Sequence, residues 1–415
     1  MSERVTNWAG NVVFGARRVH RPGSVDEVRS LVASGGPLRV LGSGHSFNRM
    51  ADTTGDLVSL AGLPRVVAVA PDRRTVRVDG GIRYGDLAVA LEKEGLALHN
   101  TASLPHISVA GAVATATHGS GVRNANLASA VSGLEFLSGT GDLVALSRDD
   151  ADLAGAVVGL GAPGVVTALT LDVVPAFELR QYVYDNVPRS SISAHLSEML
   201  ADGYSVSLFT DWTGLDANMA WLKRAEPMTG EWFGATPADG PRHPVPGMPA
   251  QNSTDQSGAP GPWHTRLPHF RMEFTPSAGE ELQSEWHVAA SDGLAAIDAV
   301  ASIRTQVAAV LQVCEIRAVA ADELWLSPNY QRNSIALHFT WIADTSAVLP
   351  VVAEVERVLA PLNPRPHWGK VFTMAPAAVR AAYPRFADFA DLVDRYDPAG
   401  VFRNEWLDAL LTSGS

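Results

Sequence analysis

The sequence predicts an α+β fold of two domains, and three observations carry the prediction. Short apolar strands and amphipathic helices follow one another through the first part of the chain, punctuated by glycine-rich turns. After Pro175 the texture changes: 228–268 is rich in Pro and Gly with little periodicity, and is too long for an ordinary connection. It reads as a functional or packed irregular loop. Beyond it strands return with helices between them, making a sheet-plus-helix second domain at about 180–365, inserted before a last segment.

Taken in order, 19–33 suggests a strand, a break at Pro22 and an amphipathic helix opened by Ser24. A short apolar strand then runs into Gly42-Ser43-Gly44-His45-Ser46-Phe47-Asn48, and 48–59 reads as a polar loop. Residues 76–79 alternate as a strand does, and 84–94 carry helical spacing. The stretch 134–146 reads as two strands about the turn Gly139-Thr140-Gly141-Asp142, and 165–173 as a further strand reached through Gly161-Ala162-Pro163-Gly164. In the second domain strands are expected at 270–274, 282–287, 313–319 and 335–342, with helices at 294–310 and 346–359. No internal repeat or low-complexity region is present.

Composition narrows the function classes. At 415 residues, with 46% hydrophobic and 18% charged residues, the chain is an ordinary globular protein long enough for two sizeable domains. A net charge of −12 gives a nucleic-acid partner no electrostatic support. The opening Met1-Ser2-Glu3-Arg4-Val5-Thr6 has neither the apolar core nor the basic flank of an export signal. No stretch approaches the roughly 18 apolar residues of a membrane span. A single cysteine, Cys314, cannot form an internal disulfide. These features predict a soluble cytoplasmic protein, expected to be a monomer.

Two segments carry the cofactor signal. In the first, Gly42 and Gly44 permit positive φ and let backbone N–H groups approach an anion, while His45 is presented beside them. In the second, Ala102 to Gly121, the small residues Ala110, Gly111, Ala112, Ala114, Thr115 and Ala116 allow close approach to a flat or charged ligand. Ser108 can cap a short helix whose N-terminal amides suit phosphate. Either segment alone reads equally as a tight structural turn; together they point to a diphosphate-bearing cofactor. The first lacks the third glycine of G-x-G-x-x-G and no clear βαβ unit with a ribose-binding acid follows, which argues against a Rossmann site.

In the second domain the informative residues are polar ones on strands. Glu315 and Arg317 share a strand face, as do His338 and Thr340, and Gln283 and Glu285. Each pair alone reads as the wet face of an antiparallel sheet. Three such strands with Lys370 can instead form a polar wall suited to a polyhydroxylated substrate. Arginine greatly outnumbers lysine, and the only lysines are Lys93, Lys223 and Lys370. Lys93 reads as an exposed helix end, Lys223 is ambiguous, and Lys370 stands where a compact ammonium able to lower its pKa is useful.

These segments resemble the FAD-binding domain of the vanillyl-alcohol oxidase flavoprotein family, and the likeness runs nearly end to end. It includes Asn7-Trp8-Ala9-Gly10-Asn11, Ala102 to Gly121 and His367-Trp368-Gly369-Lys370. Phe209-Thr210-Asp211-Trp212 and Pro244-Val245-Pro246-Gly247-Met248-Pro249 make the alditol-oxidising branch the nearest in kind. The resemblance implies a PCMH-type FAD-binding domain at 1–179, a substrate-binding cap at 180–365 and a segment at 366–415 that returns to the FAD domain. It implies FAD contacts from Val40, Leu41, Gly42, Ser43, Gly44, Ser46, Ser103, Ser108, Gly111, Thr115, Thr117, His118 and His367, and a backbone contact of Val166 with the adenine. His45 is matched to the histidine bonded covalently to the flavin's 8α-methyl carbon. Ser103, Glu315, Arg317, Thr340 and Lys370 are matched to the alditol site, with Gln283 and His338 nearby.

The implied activity is oxidation of a terminal alcohol of xylitol, sorbitol or glycerol to the aldose, oxygen becoming hydrogen peroxide. Lys370 and Arg317 would flank the reacting oxygen, Arg317 depressing the pKa of Lys370 so that it can accept the proton. Three other readings stay open: a sugar-1,4-lactone oxidase or dehydrogenase, a dehydrogenase that avoids oxygen, and a flavin-binding carrier or sensor without turnover.

Overall fold

Ser24 opens the first helix as its chemistry demands: its hydroxyl accepts from the Glu27 N–H at 3.2 Å, ahead of helix Val25–Ala33, with Asp26 and Glu27 in the first turn. The computed structural model describes residues 5–273 and 279–412. Met1 to Arg4, part of the run read for an export signal, lie outside the described residues.

Strands Arg18–His20, Asp56–Val58 and Leu38–Val40 form a small parallel sheet in that order. The stretch 48–59 is therefore more than the polar loop expected: it holds a 3-10 turn at Arg49–Ala51 and the middle strand of this sheet. Three residues are too few for alternation to show in the sequence. Leu57 and Val58 are nonetheless fully buried.

The expected strands of the first part assemble into a five-stranded antiparallel sheet. Its order is Val67–Val69, Thr75–Asp79, Gly164–Asp172, Val131–Ser138, Leu143–Ser147. Helix Tyr84–Lys93 packs its Leu87 and Leu91 into the same core. The C-terminal helices Pro376–Ala382, Phe386–Tyr396 and Glu405–Leu411 join that core through Val379, Phe389 and Leu407.

The second part is built on a nine-stranded sheet in which every pairing is antiparallel. Its centre runs Ala217–Arg224, Ser205–Thr210, Leu311–Val319, Ser334–Ile342, Glu281–Ala289. One face is apolar: Leu208, Ile316, Leu337 and Trp286 lie directly opposite one another across four strands. Helices Arg189–Ala201, Gly293–Ala301 and Thr345–Leu359 cover it through Leu196, Ile297 and Val352.

Two expectations are corrected here. The helix at 294–310 is two, Gly293–Ala301 and Arg304–Ala308. The strand at 270–274 is not formed: Phe270 makes a single bridge to Ser253 and 272–273 turn, while Phe274 lies outside the described residues. The Phe270 N–H goes to the Ser103 carbonyl instead of a neighbouring strand. The 228–268 stretch is packed irregular chain, with Trp232, Trp263, Ser253 and Thr254 buried. Among the described residues no helix is long and apolar enough to cross a membrane.

Candidate active site

Period-two alternation puts the polar partners of those apolar positions on the opposite sheet face. Phe209, Glu315, His338 and Glu285 form one row of directly facing residues, and Gln283 faces Thr340. This face is not wet. Glu285 is 1% exposed, Glu315 and Arg317 4% each, and Thr340 7%, and the first part of the chain faces them across a cavity, with His118 against Glu285. Of the two readings of the polar strands, the buried wall is the one observed.

Glu285 is the hub of the wall. Its carboxylate takes a charge-assisted bond from Lys370 Nζ, one from Arg317 Nη2 at 2.8 Å, and lies 3.0 Å from His118 Nε2 and 3.4 Å from His338 Nδ1. Burial alone would raise its pKa, but Lys370, His118 and Arg317 outweigh that and hold it well below the usual carboxylate range. Lys370 Nζ also bonds His338 Nδ1 at 2.5 Å, and His338 Nε2 reaches Thr340 Oγ1 at 3.2 Å. Burial, then Lys370, bring His338 down to about 4, so it is a neutral acceptor toward the lysine.

Lys370 is itself lowered, as the sequence suggests, but the ranking of causes differs. Burial is the largest; Glu285 opposes it, and Arg317 contributes only after both. The sequence shows Arg317 two residues from Glu315, but not that a carboxylate from another strand would stand between Arg317 and Lys370.

Beside this group, Glu315 Oε2 lies 3.7 Å from Arg317 Nε. Burial opposes its ionisation, yet Arg317, His269 and His338 lower it to about 2. Lys223, ambiguous in the sequence, is fully buried on the same sheet face, and burial pushes its pKa down to about 7. Its ammonium is held by the Leu267 and Pro268 carbonyls.

The polar wall closes one side of a cavity of about 620 Å³ whose other side is the two glycine-rich turns. Every residue singled out for cofactor or substrate lines it: Val40, Leu41, Gly42, Ser43, Gly44, His45, Ser46, Ser103, Ser108, Gly111, Thr115, Thr117, His118, Val166, Gln283, Glu315, Arg317, His338, Thr340, His367 and Lys370. A Cβ on Gly42 would fall 2.5 Å from Ser108 Oγ, and one on Gly111 2.7 Å from it, so a side chain at either position would displace the Ser108 hydroxyl. Of the two glycines in the first turn only Gly44 has positive φ, +72°. Gly42 is set apart by its close approach to Ser108 rather than by its conformation. Ser108 occupies the N-cap of helix Val109–Ala114, but its hydroxyl makes no capping bond and stays buried without a partner. Its N–H is held by Ser43 Oγ at 3.1 Å, tying the two turns together.

His45 stacks on Trp8, ring centroids 4.8 Å apart, and burial together with His106 and Arg83 lowers its pKa to about 4. A neutral imidazole with a free lone pair results. A glycine cradle, an unpartnered buried hydroxyl and a neutral histidine on one cavity wall fit a diphosphate-bearing flavin nucleotide.

Sequence reasoning names Glu285 only as the strand neighbour of Gln283, and misses His269 and Trp8 as site residues. Spacing puts Glu285 on the face of Gln283, and pairing across the sheet adds Glu315, Arg317, His338 and Thr340 to that face. Nothing periodic marks His269, which comes from the irregular loop.

Two family models match the chain: an FAD binding domain over residues 16–147 and a D-arabinono-1,4-lactone oxidase over 278–410. The chain is 52% identical to an alditol oxidase of a Streptomyces species, covering 99% of this chain and 100% of that one. It is 29% identical to an L-gulono-1,4-lactone dehydrogenase of Mycobacterium tuberculosis, over 99% and 100% of the two chains. Among solved structures, cholesterol oxidase from Brevibacterium sterolicum shares the fold, with a TM-score of 0.79, 14% identity, and 99% and 96% of the two chains covered.

Proposed function

The chain belongs to the alditol oxidase family of FAD-dependent oxidoreductases, and from that premise we propose that it oxidises a terminal primary alcohol of xylitol, sorbitol or glycerol to the aldose while oxygen becomes hydrogen peroxide. The observation that carries this reading is the buried wall of Glu315, Arg317, His338 and Thr340, with part-buried Lys370 beside it, facing the glycine cradle across one cavity. Glu285 stands behind that wall and fixes it. A polyol needs a placed donor or acceptor at each hydroxyl, and a dry wall of this kind supplies them.

When bound, FAD supplies the acceptor for the hydride and the route for the electron pair to oxygen. The protein's own part is to bind, orient and move one proton. Neutral Lys370 takes the hydroxyl proton at Nζ, and Arg317 favours the negative charge that develops on the alcohol oxygen. Glu315 accepts a hydrogen bond from an adjacent hydroxyl, and Ser103 and Thr340 hold others, with Gln283 and His338 behind them. The region 1–179 with 366–415 holds the cofactor, and 180–365 caps it. A single buried thiol supports a reducing cytoplasm. We take the chain to be a monomer.

The lactone-oxidase match over 278–410 favours one rival, a sugar-1,4-lactone oxidase or dehydrogenase. Anaerobic mixing separates the two: xylitol is expected to bleach the flavin and L-galactono-1,4-lactone to leave it yellow. Bleaching by the lactone alone overturns the alditol reading.

His45 would hold the cofactor, through a bond from the imidazole to the flavin's 8α-methyl carbon; its neutral, stacked ring supports this. Acid precipitation of the parent protein is expected to leave the yellow colour in the pellet, and His45→Ala to release it to the supernatant. Colour that leaves the parent pellet sinks the covalent assignment.

A further inference from the structure

Glu315 has one polar atom that nothing among the described residues satisfies. Its Oε1 is buried without a hydrogen-bond partner and lies 3.6 Å from Nε2 of His269, beyond hydrogen-bonding reach. Both residues are buried and both line the cavity. The loop that carries His269 is fixed from three sides. Lys223 grips the Leu267 and Pro268 carbonyls, Thr254 Oγ1 donates to the Pro268 carbonyl at 2.8 Å, and the His269 N–H donates to the Ser103 carbonyl at 3.1 Å. The His269 ring stands edge-on to Trp221, centroids 5.0 Å apart at 82°, with Phe209 at 5.7 Å. An irregular loop held this tightly places a side chain as reliably as a strand does.

We propose that His269 is a substrate-binding residue which, with Glu315, closes the end of the alditol site remote from Lys370 and selects there for a hydroxyl group. The proposal rests on the alditol-oxidising reading above. Glu285 and Glu315 sit on strands separated by the strand of His338, so their backbones are about 10 Å apart at the usual strand spacing, and an extended polyol lies along that row. At its far end Glu315 is a carboxylate that only accepts. His269 is kept neutral by burial and by Lys223, and in the tautomer that carries its proton on Nε2 it donates. The group that satisfies both must donate to one and accept from the other. A hydroxyl does so; a lactone carbonyl or ring oxygen only accepts, and would leave the Glu315 oxygen unpaired in a dry site. The same pair thereby favours longer alditols, whose distal hydroxyl reaches it, over glycerol, whose chain is shorter.

The test is a substrate-length comparison on the holoenzyme. His269→Phe keeps a ring against Trp221 but has no donor; His269→Gln keeps an N–H donor. Anaerobic flavin reduction by xylitol and by glycerol is measured for each, with apparent dissociation constant and limiting rate separated. In His269→Phe the reduction efficiency is expected to fall roughly tenfold further with xylitol than with glycerol, through the dissociation constant, and His269→Gln to recover most of the difference. Where the larger ring does not fold, His269→Leu takes its place. Equal losses for the two polyols, or a loss confined to the limiting rate, overturn the proposal. A parent enzyme reduced by neither polyol is a failure of the alditol reading, seen before any variant is made.

Discussion

Lys370→Met is expected to slow reduction of the flavin by xylitol about a thousandfold, within the range for losing a positioned general base, while leaving the bound flavin and its absorbance intact. Methionine keeps the length and apolar bulk of the side chain, so the cavity wall is retained. What disappears is an ammonium nitrogen that lines the cavity and whose pKa burial lowers. Arg317 stays charged, and His338 accepts from Lys370 at Nδ1 and donates to Thr340 Oγ1 from Nε2. The parent's pH profile carries a second, independent sign. Lys370 accepts a proton only when neutral, and burial places its pKa below the 10.5 of an ordinary lysine. The limiting rate of reduction therefore rises with pH and levels off below that value; in Lys370→Met the rising limb is absent. A variant that keeps both the rate and the limb moves the proton acceptor elsewhere.

How much of this was legible in the sequence follows from which signals are local. Alternation placed the strands around 282–287, 313–319 and 335–342 and put Glu315 with Arg317, and His338 with Thr340, on shared faces. It could not say whether that face meets water or another layer, because that depends on the covering part of the chain, far away in sequence. Ser24 announced its helix because its cap is a three-residue relation; the bare Ser108 hydroxyl depends on Gly42 and Gly111 closing around it. Strand Asp56–Val58 is too short to carry a period. His269 sits in a loop whose position is set by Lys223, Thr254 and Ser103, three distant residues that no local pattern connects.

Glu285→Gln is the substitution with the largest expected effect on stability, about 3–5 kcal/mol, because it leaves Lys370 and Arg317 buried without their shared counter-charge. Glutamine matches the carboxylate in size, so the loss is one of charge rather than packing. The depressed pKa of Glu285 gives the sign: its contribution is fully present above the unfolded value of about 4.3 and is lost only in strong acid, as pH falls through the much lower folded value. Between neutrality and alkaline pH the change in the variant must come from Lys370. Without Glu285, which raises its pKa, Lys370 falls further and sheds its proton more easily. The difference in melting temperature between parent and variant is therefore expected to narrow as pH rises toward about 10, the range of an unfolded lysine. A double substitution distinguishes this account from simple loss of contacts. Adding Lys370→Met to Glu285→Gln removes one of the stranded cations, so the double variant is expected to melt higher than Glu285→Gln alone. Additive losses would mean that the buried carboxylate acts on this wall through something other than charge, since in the double variant Arg317 still keeps Glu315 beside it at 3.7 Å.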